Sequence, residues 1–145
     1  MKAVIQRVCK GRVSSGDRTL AEIGQGLVIL LGVGPGDTEE NAVALARKIA
    51  HLRIFADDQG KMNLSVKDIS GSAIVVSQFT LFADTRKGHR PSFIDAAPPE
   101  IARPLVDRFA VLLSEQGVPT QTGEFAAHMI VEIENDGPVT ILLEH

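Results

Sequence analysis

The amino-acid sequence predicts a single α/β domain covering residues 1–145, with two main helices and a sheet that is not of the Rossmann type. Strand-like apolar segments alternate along the chain with two stretches of helical periodicity. A chain of 145 residues, 44% of them hydrophobic, is long enough to bury one sizeable core. No repeat, low-complexity tract or long linker divides the sequence into further units.

The first part of the chain is predicted to form strands. Apolar and polar residues alternate from Ala3 to Cys9, which indicates a half-buried strand and places the Cys9 thiol on its buried side. Cys9 is the only cysteine, so it forms no internal disulfide, and we expect a structural rather than a nucleophilic role. Short extended segments follow around Val13 and Leu20. The continuous apolar run from Leu27 to Val33 is typical of a buried central strand.

Two segments carry the signals of helices. Helical spacing of apolar residues predicts the first helix over about 38–51, and Asp37 followed by Glu40 indicates an N-terminal capping pair. The dipeptide Pro98-Pro99 opens the second helix, because proline is favoured in the first turn. The apolar residues expected on one face of this helix are Ile101, Leu105, Phe109 and Leu112.

The remaining elements are predicted to be strands and turns. Residues 57–60 form a turn between two short extended pieces. The segment from Ala73 to Phe82 is typical of a strand, and two late strands are expected around 128–134 and 139–143. A tight turn at Gly137-Pro138 would join these last two strands.

Charge and hydropathy limit the classes of partner. A formal net charge of −3 argues against a protein that binds nucleic acid over its whole surface. Arg86, Lys87, His89 and Arg90 nevertheless cluster directly after the strand predicted at 73–82. This cluster is either a solvated loop or a phosphate contact, and its position directly after residues 77–81, a candidate site at the end of that strand, favours RNA. No segment resembles a signal peptide or approaches the ~18 apolar residues of a membrane span, so we expect a cytoplasmic protein without a membrane partner.

Several familiar chemistries are not supported by the spacing of residues. The segment Gly32–Asp37 follows a strand as a dinucleotide-binding loop would, but it lacks the third glycine and sets a carboxylate where a pyrophosphate would lie. The four histidines, at positions 51, 89, 128 and 145, show no metal-binding spacing. Ser77 lacks the flanking glycines of a nucleophile elbow. We therefore predict no metal, no cofactor and no hydrolase triad.

Two motifs carry a resemblance to a known family. The segments SQFTL, residues 77–81, and NDGPVT, residues 135–140, resemble the two signature motifs of the D-aminoacyl-tRNA deacylases. Further similar segments are MKAVIQRV at 1–8, IGQGLVILLG at 23–32, LRIF at 52–55, KMNL at 61–64, RPSF at 90–93 and AAPPE at 96–100. The chain departs from the family pattern at His89, and at Ala126 and His128, where glycine and an acidic residue are usual.

The resemblance implies a fold, a reaction and catalytic residues. The implied fold has a mostly antiparallel or mixed sheet that forms a barrel-like core. The implied reaction is hydrolysis of the ester between a D-amino acid and tRNA by a homodimer that uses no cofactor. Ser77, Gln78, Phe79 and Thr80 would form the catalytic segment, with backbone N–H groups near Phe79 and Thr80 receiving the developing oxyanion. Thr80 would act either as a nucleophile, for which no base is visible in sequence, or as an orienting group while the terminal ribose 2′-hydroxyl of the tRNA activates water.

The second motif implies a filter for chirality. In the family the bond between Gly137 and Pro138 is cis and projects backbone carbonyls into the active site of the partner subunit. Arg7 would fix the orientation of this element, although a surface arginine is the alternative from sequence alone. Glycyl-tRNA(Ala) is expected to escape the filter, because glycine has no side chain. Phe125 and Met129 are expected to line the pocket or the dimer contact, with core packing as the alternative.

Two other functions remain open from the sequence. A related editing domain that removes a wrong L-amino acid from tRNA would share the fold. A non-catalytic tRNA-binding module would share it too, although the chain lacks Trp, Tyr and the aromatic motifs of common RNA-binding modules. Intact SQFTL and GPVT segments favour the D-specific enzyme over both.

Overall fold

The computed structural model describes residues 1–145 and consists of eight strands, two α-helices and one 3-10 turn. In chain order the elements are β1 (Lys2–Ser15), β2 (Arg18–Ile23), β3 (Gly26–Gly32), α1 (Glu39–Ala50), β4 (Phe55–Ala56), β5 (Met62–Leu64), β6 (Ser72–Ser77), the 3-10 turn (Phe79–Phe82), α2 (Pro99–Glu115), β7 (Thr120–Thr122) and β8 (Ile130–Glu144). Neither helix is long and apolar enough to cross a bilayer.

Six strands form a mixed sheet that closes almost completely into a barrel. The strand order is β2-β1-β3-β6-β7, and β8 pairs with β1 as a branch. Strand β1 is antiparallel to β2, β3 and β8, whereas β3, β6 and β7 run parallel. The Gln121 side chain of β7 donates to the Glu22 carbonyl of β2 over 2.8 Å and accepts the Glu22 N–H over 3.0 Å, which joins the two ends of the path. The predicted barrel-like mixed sheet with two helices is confirmed.

The two faces of the sheet belong to two hydrophobic clusters. Leu27, Ile29 and Leu31 of β3 point toward the helices and join the larger cluster, which α1 and α2 complete. Val28, one residue out of phase, points into the barrel and joins the smaller cluster. At Gly11 a Cβ atom would lie 2.6 Å from Val28 Cγ2, so the barrel interior has no room for a side chain there.

The prediction that Cys9 is buried is wrong. The register between β1 and β8 shifts on both sides of Cys9, between Gln6 and Val8 and again between Val8 and Lys10. An extra residue in a strand exchanges its two faces, so Val8 is buried and Cys9 points outward. The Cys9 Sγ atom lies 3.4 Å from the Glu134 carbonyl oxygen.

The helices lie where they were predicted, but two details differ. At the start of α1 the capping residues are Thr38 and Asn41, whose Oδ1 accepts the Thr38 N–H over 2.8 Å. Asp37 turns back instead and binds the Met1 ammonium and the Gly34 N–H, each at 2.6 Å. The buried face of α2 includes the predicted Phe109 and Leu112 but not Ile101 or Leu105; it is completed by Ala102, Val106, Ala110 and Leu113. Leu105 is half-buried and packs against the larger cluster, so of the four predicted residues only Ile101 is exposed.

Both strands that carry the signature motifs differ from their predicted extents. Strand β6 ends at Ser77 rather than Phe82, and the chain then forms the 3-10 turn. The two late strands are one continuous strand, β8, which contains Gly137-Pro138 as an outward interruption. In both cases the irregular backbone coincides with a signature motif.

Candidate active site

The SQFTL segment lies where two parallel strands end together. Ser77, the last residue of β6, pairs with Leu31 near the end of β3. The Gln78 N–H donates to the Leu31 carbonyl over 2.8 Å, and the chain leaves the sheet immediately afterwards. A Cβ atom at Gly32 would approach the Gln78 carbonyl oxygen to 3.0 Å, so the small residue in β3 leaves space for the turn. The carboxyl ends of parallel strands are a frequent place for ligand sites.

The 3-10 turn leaves two backbone N–H groups free. Its hydrogen bonds begin with the Leu81 N–H, which donates to the Gln78 carbonyl over 3.3 Å, and continue with the Ala83 N–H and the Thr80 carbonyl at 3.0 Å. The N–H groups of Phe79 and Thr80 precede the first of these bonds and have no acceptor within the turn. Both residues are exposed. Two adjacent donors at the start of a helical turn form a binding point for a negatively charged oxygen.

The Thr80 hydroxyl has an amide neighbour and no ionisable one. The Gln78 side chain donates from Nε2 to Thr80 Oγ1. Neither a histidine nor a carboxylate or lysine is hydrogen-bonded to this hydroxyl. A threonine without an adjacent base is a weak nucleophile, so the geometry favours an orienting role for Thr80.

A mainly apolar cavity of about 650 Å³ opens beside the turn. Ser77, Gln78 and Phe79 form one wall, and the predicted pocket residues Phe125 and Met129 form another. The third wall is the start of α2, including Pro98, Pro99 and Ala102. A volume of this size is within the usual range for small-ligand sites.

Most residues that line this cavity were not singled out as pocket residues from sequence, Phe93 and His128 among them. The Phe93 ring packs edge-on against Phe79, with ring centroids 5.0 Å apart and an interplanar angle of 73°. His128 is the only ionisable side chain that lines the cavity. Phe93 is the last residue of RPSF, one of the segments that resemble the family, and this resemblance could have indicated it as a site residue. Ala126, which replaces the usual glycine, adopts φ +63°, a conformation that glycine favours.

The second motif forms a loop that projects from β8 opposite Arg7. Gln6 pairs with Thr140 and Val8 pairs with Asn135, so the residues between Asn135 and Thr140 bulge out of the sheet. The segment Asp136–Pro138 is exposed, and we refer to it as the Gly-Pro loop. The Asn135 side chain closes its base, because Oδ1 accepts the Val139 N–H over 2.7 Å and Nδ2 donates to the Val139 carbonyl over 3.0 Å. The Gly137–Pro138 peptide bond is cis.

Arg7 lies beneath the Gly-Pro loop and connects it to the rest of the fold. Its Nε donates to the Asp136 carbonyl over 2.8 Å, and its Nη1 donates to the Ile54 carbonyl. The Asp136 carboxylate lies 3.4 Å from Nε, and the guanidinium lies 5.9 Å from the centroid of the Phe55 ring. Only 11% of the Arg7 side chain is exposed, so a freely solvated surface arginine does not describe it.

The two motifs do not meet within one protomer. No residue of the Gly-Pro loop lines the cavity. Arg7 pairs with Leu27 and Leu27 with Ala73, four residues before Ser77 on β6. Four residues at ~3.3 Å each separate the level of Arg7 from the level of Ser77 by about 13 Å along the strands. The Gly-Pro loop, on β8, is further separated from β6 by the intervening strands β1 and β3. The cavity of one chain is therefore lined by Phe79, the first residue of the turn, but by no residue of the Gly-Pro loop.

The basic loop after the 3-10 turn is partly neutralised. The Arg86 guanidinium forms two bonds to Asp84, at 2.9 and 2.8 Å. The Arg86 side-chain hydrogen bonds, followed by its backbone N–H, lower the pKa of Asp84 to about 2, and the same pairing raises the pKa of Arg86. Lys87 and Arg90 are exposed and take part in no ion pair with a carboxylate. These two residues remain available for a phosphate, whereas Arg86 already has a partner.

Comparisons with known proteins agree over the whole chain. The family model described as D-Tyr-tRNA(Tyr) deacylase matches residues 4–144. A protein of Roseiflexus sp. (strain RS-1) named D-aminoacyl-tRNA deacylase is 61% identical over 144 residues, which cover 99% of this chain and 93% of that protein. A protein of the same name from Thermotoga petrophila (strain ATCC BAA-488 / DSM 13995 / JCM 10881 / RKU-1) is 54% identical, covering 99% of this chain and 97% of its own.

Solved structures share the fold. A structure titled "c-Myc DNA Unwinding Element Binding Protein" superposes with a TM-score of 0.93 at 40% identity, covering 100% of this chain and 99% of its own. A probable eukaryotic D-amino acid tRNA deacylase superposes with a TM-score of 0.81 at 17% identity, covering 98% and 97%, and at that identity it supports the fold alone. With a family model matching nearly every residue and relatives above 50% identity, the chain belongs to the D-Tyr-tRNA(Tyr) deacylase family.

Proposed function

We propose that the protein hydrolyses D-aminoacyl-tRNA to a free D-amino acid and tRNA, and leaves L-aminoacyl-tRNA intact. The observation that carries this proposal is the pair of free N–H groups on Phe79 and Thr80, in a turn whose first residue, Phe79, lines a mainly apolar cavity. Such donors suit an ester carbonyl that becomes an oxyanion. Family membership supports the substrate class, and the names of the relatives support the reaction.

The reaction follows from this geometry. Water attacks the ester carbonyl carbon, and the tetrahedral oxyanion accepts hydrogen bonds from the Phe79 and Thr80 N–H groups. Each donor of this kind typically lowers the barrier by about 3 kcal/mol. The bond to the ribose oxygen then breaks, and a proton from the attacking water is transferred to that oxygen. The Gln78 amide and the Thr80 hydroxyl orient the substrate, with Ser77 closing the wall behind them.

The base for this reaction belongs to the substrate in our proposal. The Thr80 hydroxyl has no ionisable hydrogen-bond partner, so the protein does not activate it for attack. The 2′-hydroxyl of the terminal adenosine lies next to the ester in any aminoacyl-tRNA. We propose that this hydroxyl positions and activates the water, so that the tRNA contributes to its own deacylation.

Chirality is selected across a homodimer in this proposal. The Gly-Pro loop is exposed, is held by Arg7, and is absent from the cavity of its own chain. Inserted into the cavity of a partner, its backbone carbonyls would accept hydrogen bonds from the α-amino group of a D-residue. An L-residue would direct its side chain at the same carbonyls and be rejected. Glycine passes such a filter, so glycyl-tRNA(Ala) is proposed as a second substrate.

Contacts to the rest of the tRNA complete the proposal. Lys87 and Arg90, with Arg86 beside them, follow the catalytic turn directly and would contact phosphates near the aminoacylated 3′ end. We propose that the enzyme acts in the cytoplasm, where translation uses aminoacylated tRNA.

The free N–H group of Phe79 provides a direct test. Phe79 is the first residue of the turn, a position that tolerates proline, and Gln78 before it has non-helical dihedral angles, φ −142° and ψ 79°. Phe79→Pro removes the ring and the N–H donor, whereas the control Phe79→Ala removes the ring alone. We expect Phe79→Pro to hydrolyse D-tyrosyl-tRNA about 100-fold more slowly than Phe79→Ala in single-turnover reactions. Equal rates in two folded variants would contradict the oxyanion role.

A further inference from the structure

A second concave surface lies along α1 and the segment that follows its C-terminal end. It encloses about 1580 Å³, and its lining includes Arg47, Lys48, His51 and Arg53. Lys67 joins this group, because its ammonium lies 3.3 Å from His51 Nε2. We refer to Arg47, Lys48, Arg53 and Lys67 as the basic surface.

None of the four cations of the basic surface forms an ion pair within the protein, although Glu39 and Glu40 line the same concavity and Asp68 lies close to Lys67. The chain has a net charge of −3, yet residues 41–56 contain no Asp or Glu. Every ion pair of the chain uses other cations, such as Arg108 with Glu39 and Arg18 with Glu124. Three of the four side chains are exposed and Lys67 is half-buried. Glu39 is paired with Arg108, so the four cations face two carboxylates outside ion pairs, Glu40 and Asp68. An excess of positive charge on the surface of an acidic protein points to a polyanionic partner.

Helix stabilisation explains only part of this arrangement. Arg47 and Lys48 lie in the last turn of α1, where cations interact favourably with the helix dipole. Arg53 and Lys67 lie beyond the helix and gain nothing from it. His51 holds Lys67 in place, since its Nδ1 bonds to the Arg47 carbonyl at 2.9 Å while Nε2 contacts the lysine. The group is therefore brought together by tertiary structure.

The basic surface is connected directly to the Gly-Pro loop. Arg53 precedes Ile54, whose carbonyl accepts a hydrogen bond from Arg7 Nη1, and Arg7 Nε binds the Asp136 carbonyl. The Arg7 guanidinium thus connects Ile54, the neighbour of Arg53, to the Gly-Pro loop. Arg53 is therefore the member of the basic surface next to the residue that contacts Arg7, and Arg7 holds the loop that we propose to enter the partner's cavity.

We propose that the basic surface of one protomer binds the sugar-phosphate backbone of the tRNA acceptor arm whose aminoacylated end occupies the partner's cavity. This inference rests on the proposed function. Contacts of this type fix the position of the RNA without reading its sequence. One subunit then supplies the N–H donors, and the other supplies both the filter and the phosphate contacts.

Charge reversal tests the proposal. In the triple variant Arg47→Glu/Lys48→Glu/Arg53→Glu we expect KM for D-tyrosyl-tRNA to rise at least 10-fold, with kcat little changed. The same variant should hydrolyse 3′-O-D-tyrosyl-adenosine, which has no phosphate, at the wild-type rate. The slope of log affinity against log salt for tRNA should become less steep by about 0.7–0.9 for each phosphate that the variant no longer neutralises. The control Lys10→Glu reverses a charge on β1 that pairs with Glu22, and should leave KM unchanged.

The outcomes separate this proposal from the function on which it rests. Unchanged KM and tRNA affinity in the triple variant would overturn the proposal, and so would equal losses on both substrates. If the wild-type protein hydrolyses neither substrate, the proposed function fails. The affinity for uncharged tRNA then tests the inference separately. Weaker binding of tRNA by the triple variant than by the wild type supports the basic surface, and equal binding by the two overturns it.

Discussion

Arg7 and Asp136 are joined by a hydrogen bond of 2.8 Å from the guanidinium Nε to the backbone carbonyl, across 129 residues of sequence. The acceptor is the first carbonyl of the exposed Gly-Pro loop, and the donor is almost fully covered. A covered arginine that binds a backbone carbonyl positions the main chain, whichever side chains the loop carries. The filter that we propose is made of main chain, so Arg7 is its positioning residue.

Replacing Arg7 by lysine should weaken this positioning. A single ammonium does not reproduce the two separate N–H contacts to Asp136 and Ile54. We expect kcat/KM for D-tyrosyl-tRNA to fall about 10- to 100-fold, corresponding to a charge-assisted hydrogen bond of about 1.5–3 kcal/mol. Steady-state kinetics with Arg12→Lys as the control provides the measurement, since Arg12 is on the same strand and binds Thr19. Full activity of Arg7→Lys would remove Arg7 from the filter.

Gly137→Ala should damage the Gly-Pro loop itself. Gly137 has φ +147°, and a Cβ atom there would lie 2.7 Å from Val139 Cγ2 and 2.8 Å from Val139 N. We expect about 1–3 kcal/mol less stability in urea unfolding and a smaller ratio of D- to L-tyrosyl-tRNA hydrolysis. Gly36→Ala is the matched control, because no atom lies within 4 Å of a Cβ at that position. Unaltered chirality ratios in Gly137→Ala would argue that the loop is not the filter.

Thr80→Ala separates the two roles considered for the hydroxyl. In our account the hydroxyl orients substrate together with Gln78, so the variant should retain at least about a tenth of wild-type kcat, since a neutral hydrogen bond contributes about 0.5–1.5 kcal/mol. Mass spectrometry of the quenched wild-type reaction should detect no acyl-enzyme. Near-complete inactivation of Thr80→Ala together with an acyl-enzyme in the wild type would establish covalent catalysis instead.

The pairing of Asp84 with Arg86 predicts the acid titration of the basic loop. The pKa of Asp84 is about 2 in the folded protein, below its ordinary value of 3.8, because Arg86 donates hydrogen bonds to its charged form. A lowered folded pKa stabilises the protein above the unfolded pKa, and this contribution is lost as pH falls from about 4 through about 2. NMR titration should give an Asp84 pKa near 2 that returns toward the ordinary value in Arg86→Ala. An Asp84 pKa close to 3.8 in the wild type would show that the pair does not persist in solution.

The elements with strong periodicity were predictable from sequence, and their irregular parts were not. The positions of α1, α2 and β3 follow from apolar spacing alone. The outward face of Cys9 depends on a register shift between β1 and β8, which the sequence of one strand does not specify. Asp37 looked like a cap because it precedes a helix, but its ion pair with Met1 is a tertiary contact.

The candidate site divides in the same way. The catalytic segment and the Gly-Pro loop were found through their resemblance to family motifs, since neither contains a group that composition would mark as catalytic. The free N–H groups of Phe79 and Thr80 exist because β6 stops at Ser77 and a 3-10 turn begins, a change that a strand-like pattern through Phe82 conceals. The basic surface was missed because Arg53 and Lys67 are distant in sequence and meet only through His51 and the end of α1.

Hydrolysis of matched D-tyrosyl-tRNA and L-tyrosyl-tRNA by the purified protein tests the central claim most directly, with a Gly137→Ala/Pro138→Ala variant measured alongside. We predict that the wild-type protein cleaves the D ester alone, and that the variant cleaves it more slowly or with less selectivity. Cleavage of the L ester in preference to the D ester would contradict the account in favour of an L-specific editing domain. Cleavage of neither ester by a folded protein that binds tRNA would contradict it in favour of a binding module.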